Sequence, residues 1–164
     1  MAQLPAVVTS ERLALPLWDE QTVTAVRTGE RLPRWHGSFP REDDLGAAGL
    51  WRDGDPWGPR SIVLQGWTVG SIGFFGPPAP AADDVPEVEV GYGLVPEGRG
   101  RGLVTEALTA LLVLTDAAGV RVRASIQPDN TASLRVAAKV GFTQLRGSTE
   151  DGELVMVRPL RSPS

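Results

Sequence analysis

A mixed α/β fold organised around one central sheet is the prediction for this chain, and three observations make it. Runs of β-branched and alternating residues are interleaved with runs whose apolar residues recur at helical spacing. Glycines and prolines punctuate the boundaries between them. The 164 residues are enough for one domain with a real core and too few for two comfortable ones.

The elements follow in order. Arg12 to Leu17 (RLALPL) alternates and reads as a strand, with Pro16 marking an edge or a strand end. Asp19 to Arg27 reads as a short helix, with Asp19 as N-cap and Gly29 as C-cap. Residues 31–60 are the least patterned. They hold Trp35, Trp51, Trp57 and the only histidine, His36, with a helix over Glu42 to Arg52 and a turn at Gly54-Asp55-Pro56. Ser61 to Gln65 and Trp67 to Phe75 read as two strands turned at Gly66. Residues 76–87, GPPAPAADDVPE, are loop by composition. Val88 to Val95 is a strand interrupted by Gly91 and Gly93. Gly102 to Ala118 sets Leu103, Ala107, Ala110, Leu111, Leu114 and Ala118 at helical spacing, and Gly119 ends it. Val120 to Ile126 is a strand. Pro128-Asp129-Asn130 turns the chain into a helix over Thr131 to Lys139, ended by Gly141. Phe142 to Leu145 and Leu154 to Val157 read as a final hairpin, and residues 161–164 as a loose tail.

Composition excludes several classes of function. The formal net charge of −4 argues against binding nucleic acid or an anionic membrane through bulk charge. There are no cysteines, so a disulfide framework, a thiolate metal site and a cysteine nucleophile are excluded. The acids are dispersed and there is one histidine, so no metal site is expected. The first residues, MAQLPAVVTSER, have neither a basic start nor a long apolar segment, and a cytoplasmic location is the expectation.

The most informative stretch is Gly98-Arg99-Gly100-Arg101-Gly102, set between a strand and the longest helix. The first N–H groups of a helix lack partners within it and carry the positive end of its dipole. Glycines let a ligand approach that backbone closely. Arg99 and Arg101 add positive charge. The combination suits a phosphate or pyrophosphate. A flexible turn is the plain alternative. A nucleotide-triphosphate loop needs Gly-Lys-Ser or Gly-Lys-Thr, and a dinucleotide fingerprint needs a third glycine where Leu103 stands, so both are disfavoured.

The stretches EVGYGLVPEGRGRGLVTEAL and NTASLRVAAKVGF together resemble the GNAT acyltransferases, and most of all their branch containing the ribosomal-protein N-terminal acetyltransferases. TSERLALPL at residues 9–17 is similar to the opening strand of that branch, without its second arginine. The likeness runs from about Ser10 to Arg158 and makes residues 1–164 one domain. It implies a mostly antiparallel sheet of six or seven strands, splayed in a V between the fourth and fifth, with about four helices. It also implies acetyl-CoA as co-substrate, a primary amine as acceptor (a peptide N-terminus, or a small molecule such as an antibiotic or polyamine) and a homodimer.

Position by position, the resemblance gives Arg99, Gly100, Arg101, Gly102, Leu103 and Val104 to the pyrophosphate. It gives the backbone of Leu94 and Val95 to pantetheine as an added strand, and Asn130 to pantetheine by hydrogen bond; Asn130 also reads as a helix cap. Glu97 stands where the family prefers glutamine or arginine. The tyrosine that many members use as an acid is replaced by Ala137. In its place the branch's N-x-x-S offers Ser133, as donor to the coenzyme sulfur or as a helix-start serine. Glu89 matches the glutamate of the family's E-x-G-Y and is the candidate general base or a solvated strand residue. Alternation puts Gly91 and Gly93 on its face, which leaves room for a ligand. Trp35, His36 and Tyr92, the only tyrosine, are the candidate acceptor contacts. The total absence of cysteine favours direct transfer in a ternary complex. The alternative is a non-catalytic acyl-CoA-binding module.

Overall fold

The apolar runs close into nine strands and four helices among residues 4–161, which the computed structural model describes. The order is β1 (Val7–Thr9), β2 (Leu13–Pro16), α1 (Glu20–Thr28), α2 (Glu42–Gly49), β3 (Arg60–Leu64), β4 (Trp67–Phe74), β5 (Ala79–Pro80), β6 (Pro86–Leu94), α3 (Leu103–Ala117), β7 (Arg121–Ile126), α4 (Thr131–Lys139), β8 (Gln144–Ser148) and β9 (Leu154–Arg158). One sheet runs β1-β2-β3-β4-β6-β7-β9-β8, with the two-residue β5 on β6. The strand count therefore exceeds the expected six or seven. The surplus is β1 and β5, which are too short to show alternation. Of the expected tail, residues 162–164 lie outside the described residues.

The helix ends match the sequence signals. Asp19 Oδ1 accepts the Thr22 N–H at 2.8 Å, and Gly29 closes α1 with a left-handed φ of 79°. Leu103, Leu108 and Leu111 of α3 are fully buried over β1, β2, β6 and β7, and α4 lies beside them on β7. Helix α2 covers the opposite face, where the Asp44 carboxylate accepts the Ser71 hydroxyl. Arg60 is wholly buried with its guanidinium on the carbonyls of Pro5, Leu15 and Pro56, at 2.8, 3.1 and 2.9 Å; burial lowers its pKa to about 10.

The feature that positions the site is the way β6 divides its partners. Its outer half pairs antiparallel with β4, from Gly70 against Leu94 to Phe74 against Val90. It pairs in parallel with β7 only from Glu87 against Arg121 to Glu89 against Arg123. Beyond Glu89 the two strands part, and the sheet opens as a V.

The root of the V is clamped by charge. Glu87, 4% exposed, takes Arg121 Nε at 2.6 Å, Arg123 Nη1 at 2.8 Å and two nitrogens of Arg146 at 2.7 Å. Burial works against its ionised form, yet the hydrogen bonds from Arg146, Arg121 and Arg123 outweigh it and hold the carboxyl down to about 2. One glutamate thus ties β6 to β7 and β8 next to the point where β6 and β7 part.

Candidate active site

Where the sheet opens, β6 offers unpaired backbone. The Val95 N–H bonds Val69 O at 2.8 Å, and Glu89 O accepts the Phe75 N–H at 2.9 Å. Alternation in an antiparallel ladder therefore turns the backbone of Val90, Tyr92 and Leu94 towards the gap. Leu94, whose carbonyl also takes Arg99 Nε at 3.3 Å, is among them. Val95 is not, and this corrects the expectation: it is fully buried with its N–H committed to β4.

The glycine–arginine loop follows. Gly100 and Gly102 have φ of 80° and 74°, the left-handed region where a side chain is strained. Gly102 is the N-cap of α3 and supplies no side-chain acceptor, so no cap covers the amides of Leu103, Val104 and Thr105. Arg12, in the strand-opening TSER, bonds Arg101 O at 3.0 Å and Glu106 Oε1 at 2.6 Å, which ties the loop to the sheet edge. The loop borders a cleft of about 580 Å³ that runs between α3 and α4. Arg99, Gly100, Gly102, Leu103, Val104 and Asn130 line it, whereas the Arg101 side chain lies outside. Arg135 and Lys139 of α4 add positive charge to its wall. Asn130 Oδ1 accepts the Ser133 N–H at 3.1 Å, so it caps α4 while facing the cleft. Glu97, the departure from the family pattern, is drawn aside to the Ser38 hydroxyl at 3.2 Å and does not line the cleft.

Ser133 also lines this cleft, and its hydroxyl lies 2.7 Å from that of Tyr92. The gap makes this meeting between β6 and α4. Burial raises the Tyr92 pKa above its usual value, against the lowering effect of the Ser133 bond, so the phenol keeps its proton at neutral pH. The pair was not legible in the sequence, because the two residues lie on separate elements that only the V brings together.

A second cavity, of about 550 Å³, lies between α2 and the β4–β6 ladder. Arg41, Asp43 and Tyr92 border both cavities, so the two meet at the open edge of β6. Arg41 and Asp43 had no signal beyond their place at the start of a predicted helix.

Gly91 borders the cavity under α2 and Gly93 the cleft, and the protein's own side chains also use the space the two glycines leave beside Glu89. An added Cβ at Gly91 would lie 2.6 Å from the Phe75 ring, and one at Gly93 would lie 2.1 Å from the Arg41 guanidinium. The glycines on the glutamate's face thus admit the protein's own side chains. Glu89 Oε1 is held by Arg123 Nε at 3.1 Å and borders neither cavity. Trp35 is 7% exposed, packed edge-on against Phe39 at 5.1 Å. His36 Nδ1 accepts the Ser38 N–H at 3.0 Å. Neither borders the two cavities. Among the described residues, no group of three or more His, Cys, Asp or Glu is placed to hold a metal ion, and no helix is long and apolar enough to cross a membrane.

Residues 12–143 match the family model described as acetyltransferase (GNAT) domain. Among solved structures, the chain is similar to a GnaT-family acetyltransferase from Bordetella pertussis, 27% identical over 94% of this chain and 100% of that one, with a TM-score of 0.66. It is similar to RimJ of Mycobacterium smegmatis in complex with CoA-disulfide: 22% identity, 93% and 87% coverage, TM-score 0.63. It is also similar to the Salmonella typhimurium acetyl transferase that modifies the N-terminal serine of ribosomal protein L7/L12: 22% identity, 92% and 96% coverage, TM-score 0.61. No curated protein matches the sequence.

Proposed function

The chain belongs to the acetyltransferase (GNAT) family, and on that premise we propose that it transfers an acetyl group from acetyl-CoA to a primary amine held in the cavity under α2. The observation that carries this reading is the meeting of two cavities at Tyr92: one bordered by the uncapped start of α3 and by Arg99, the other by carboxylates. The pyrophosphate would lie on the uncapped amides of Leu103 to Thr105, where the helix dipole and Arg99 favour it. The pantetheine would run along the open edge of β6 beside Leu94, as an added strand does. RimJ of M. smegmatis, which has this fold, is seen with a CoA-disulfide, and that supports the choice of coenzyme.

The chemistry needs no acyl-enzyme, and the chain has no cysteine to form one. The neutral amine attacks the thioester carbonyl carbon, the C–S bond breaks, the amine nitrogen gives up a proton and the departing sulfur takes one. Ser133 is the proposed donor to sulfur. Tyr92, protonated and 2.7 Å away, would hand a proton on to it and be reprotonated by the one the amine gives up. Glu89 enters this scheme as a strut for Arg123.

Calorimetric titration with acetyl-CoA tests the coenzyme, with ATP as control. Release of free thiol on adding an amine tests transfer, and a thiol-reactive dye suits it because the protein contributes no thiol. Binding with thiol release supports the reading. Binding without release for any amine would leave a non-catalytic acyl-CoA-binding module, and no binding would withdraw the reading.

A further inference from the structure

Among the described residues that line the cavity under α2, Arg41 is the one cation, and its hydrogen bonding is incomplete. Arg41 is the N-cap of α2, and its N–H is fixed on Asp44 Oδ2 at 2.7 Å. Its guanidinium sits against Gly93, in space that a Cβ would fill. Its two ionic contacts are long, 3.4 Å to Asp44 and 3.7 Å to Asp43. Arg158, by contrast, holds Asp116 at 2.7 and 2.8 Å through both outer nitrogens. The Nε of Arg41 is buried and has no partner among the described residues. A guanidinium has five donors, and a buried one left unused is costly. Among the described residues the outer nitrogens make only the two long contacts, and Arg41 lines both cavities, as Tyr92 does.

We propose that Arg41 is the residue that selects the acceptor, by donating to a neutral carbonyl oxygen next to the reacting amine. The inference rests on the acetyltransferase reading and narrows it. The charges decide between a neutral carbonyl and a free carboxylate. Glu42, Asp43, Asp44 and Glu153 border the cavity with Arg41, so among the described residues its lining carries more carboxylates than cations. That field favours an ammonium group on arrival and disfavours a second anion. The acceptor that fits is an amine with an amide or ester carbonyl beside it. An apolar body suits the rest of the cavity, since Leu50 and Phe75 on its wall are 42% and 49% exposed.

Three amines with one ring test this: L-phenylalaninamide, L-phenylalanine and 2-phenylethylamine. The wild type is expected to favour the amide over each of the others in kcat/KM by about tenfold or more, the worth of one hydrogen bond to a charged donor. In Arg41→Gln that advantage is expected to fall below about threefold, with the dissociation constant of acetyl-CoA unchanged. Arg41→Lys keeps the charge and is expected to keep an intermediate preference; it also serves if the glutamine variant does not fold. Equal use of the three amines by the wild type, or use of none, overturns the proposal. So does an Arg41→Gln protein that loses acetyl-CoA affinity and slows all three alike, because the guanidinium would then belong to the coenzyme. A wild type that fails to bind acetyl-CoA at all is a different result, and removes the acetyltransferase reading itself.

Discussion

The Tyr92 hydroxyl lies 2.7 Å from the Ser133 hydroxyl across the open edge of the sheet, and Tyr92 borders both cavities. In the proposed reaction, two hydroxyls in contact, one of them a phenol that stays protonated, would form a short path for a proton to the leaving thiolate. Ser133→Ala and Tyr92→Phe are each expected to lower kcat by about 10²-fold, at the low end for a general acid. Because they would act as one unit, the double variant is expected to be no slower than the worse single one, within about threefold. Steady-state kinetics at saturating acetyl-CoA checks this. Additive losses would mean that the two hydroxyls act separately.

Glu89 makes a contrasting prediction. Removing a general base costs roughly 10²–10⁴-fold in rate. Glu89 is engaged by Arg123 and borders neither cavity, so Glu89→Gln is expected to lower kcat by less than about fivefold. A loss of two orders of magnitude, measured on a protein with wild-type melting temperature, would restore Glu89 as the base.

The difference between these two residues marks what the sequence could convey. Local signals carried far: the Asp19 and Gly29 caps, the turn at Gly66, the bounds of the helix over Thr131 to Lys139 and the left-handed Gly100 and Gly102 of the loop are each set by neighbours in the chain. Glu89 and Tyr92 lie on one strand, and alternation correctly put them on opposite faces. Alternation does not say which face is filled. Phe75 and Arg41 pack against the glutamate's glycines, and the parting of β6 from β7 opens the cleft beside Tyr92. Both outcomes depend on residues far apart in sequence. The tryptophans illustrate the same limit. Trp18 bonds Ser61 at 3.0 Å and Trp51 bonds Trp18 O at 2.9 Å, so these two rings are spent on structure, as composition alone could not tell.

The Glu87 clamp predicts an acid-sensitive fold. Its carboxyl titrates near 4.5 in the unfolded chain and about 2 in the folded one. A lowered folded pKa gives stability that is present above pH 4.5 and is lost as pH falls towards 2, because the unfolded state then binds the proton more readily. Glu87→Gln leaves three arginines without their shared anion. It is expected to destabilise the protein by about 3 kcal/mol at pH 7, the cost of breaking a buried pair. The variant should also lose less stability than the wild type between pH 4.5 and 2. Urea melts at several pH values check both. An unchanged slope in the variant would assign the acid sensitivity to other carboxylates.

Gly70 and Gly93 face the same structural question with opposite answers. Both lie where β4 meets β6, and a Cβ at either would clash. At Gly70 the obstacle is backbone: Gly93 O at 2.2 Å and Leu94 Cα at 3.1 Å. Neither can move without parting the β4–β6 ladder, so Gly70→Ala is expected to cost about 1–3 kcal/mol, as overpacking does, with a matching fall in melting temperature. At Gly93 the obstacle is the end of the Arg41 side chain, at 2.1 Å, which can swing away into the cavity. Gly93→Ala is therefore expected to melt close to the wild type. It should nevertheless erase the preference for L-phenylalaninamide over 2-phenylethylamine, because the guanidinium no longer rests on β6. The pair thus separates the packing of the strand from the placement of the cation. If Gly93→Ala kept the preference while folding normally, Arg41 would not read the acceptor from its position over Gly93.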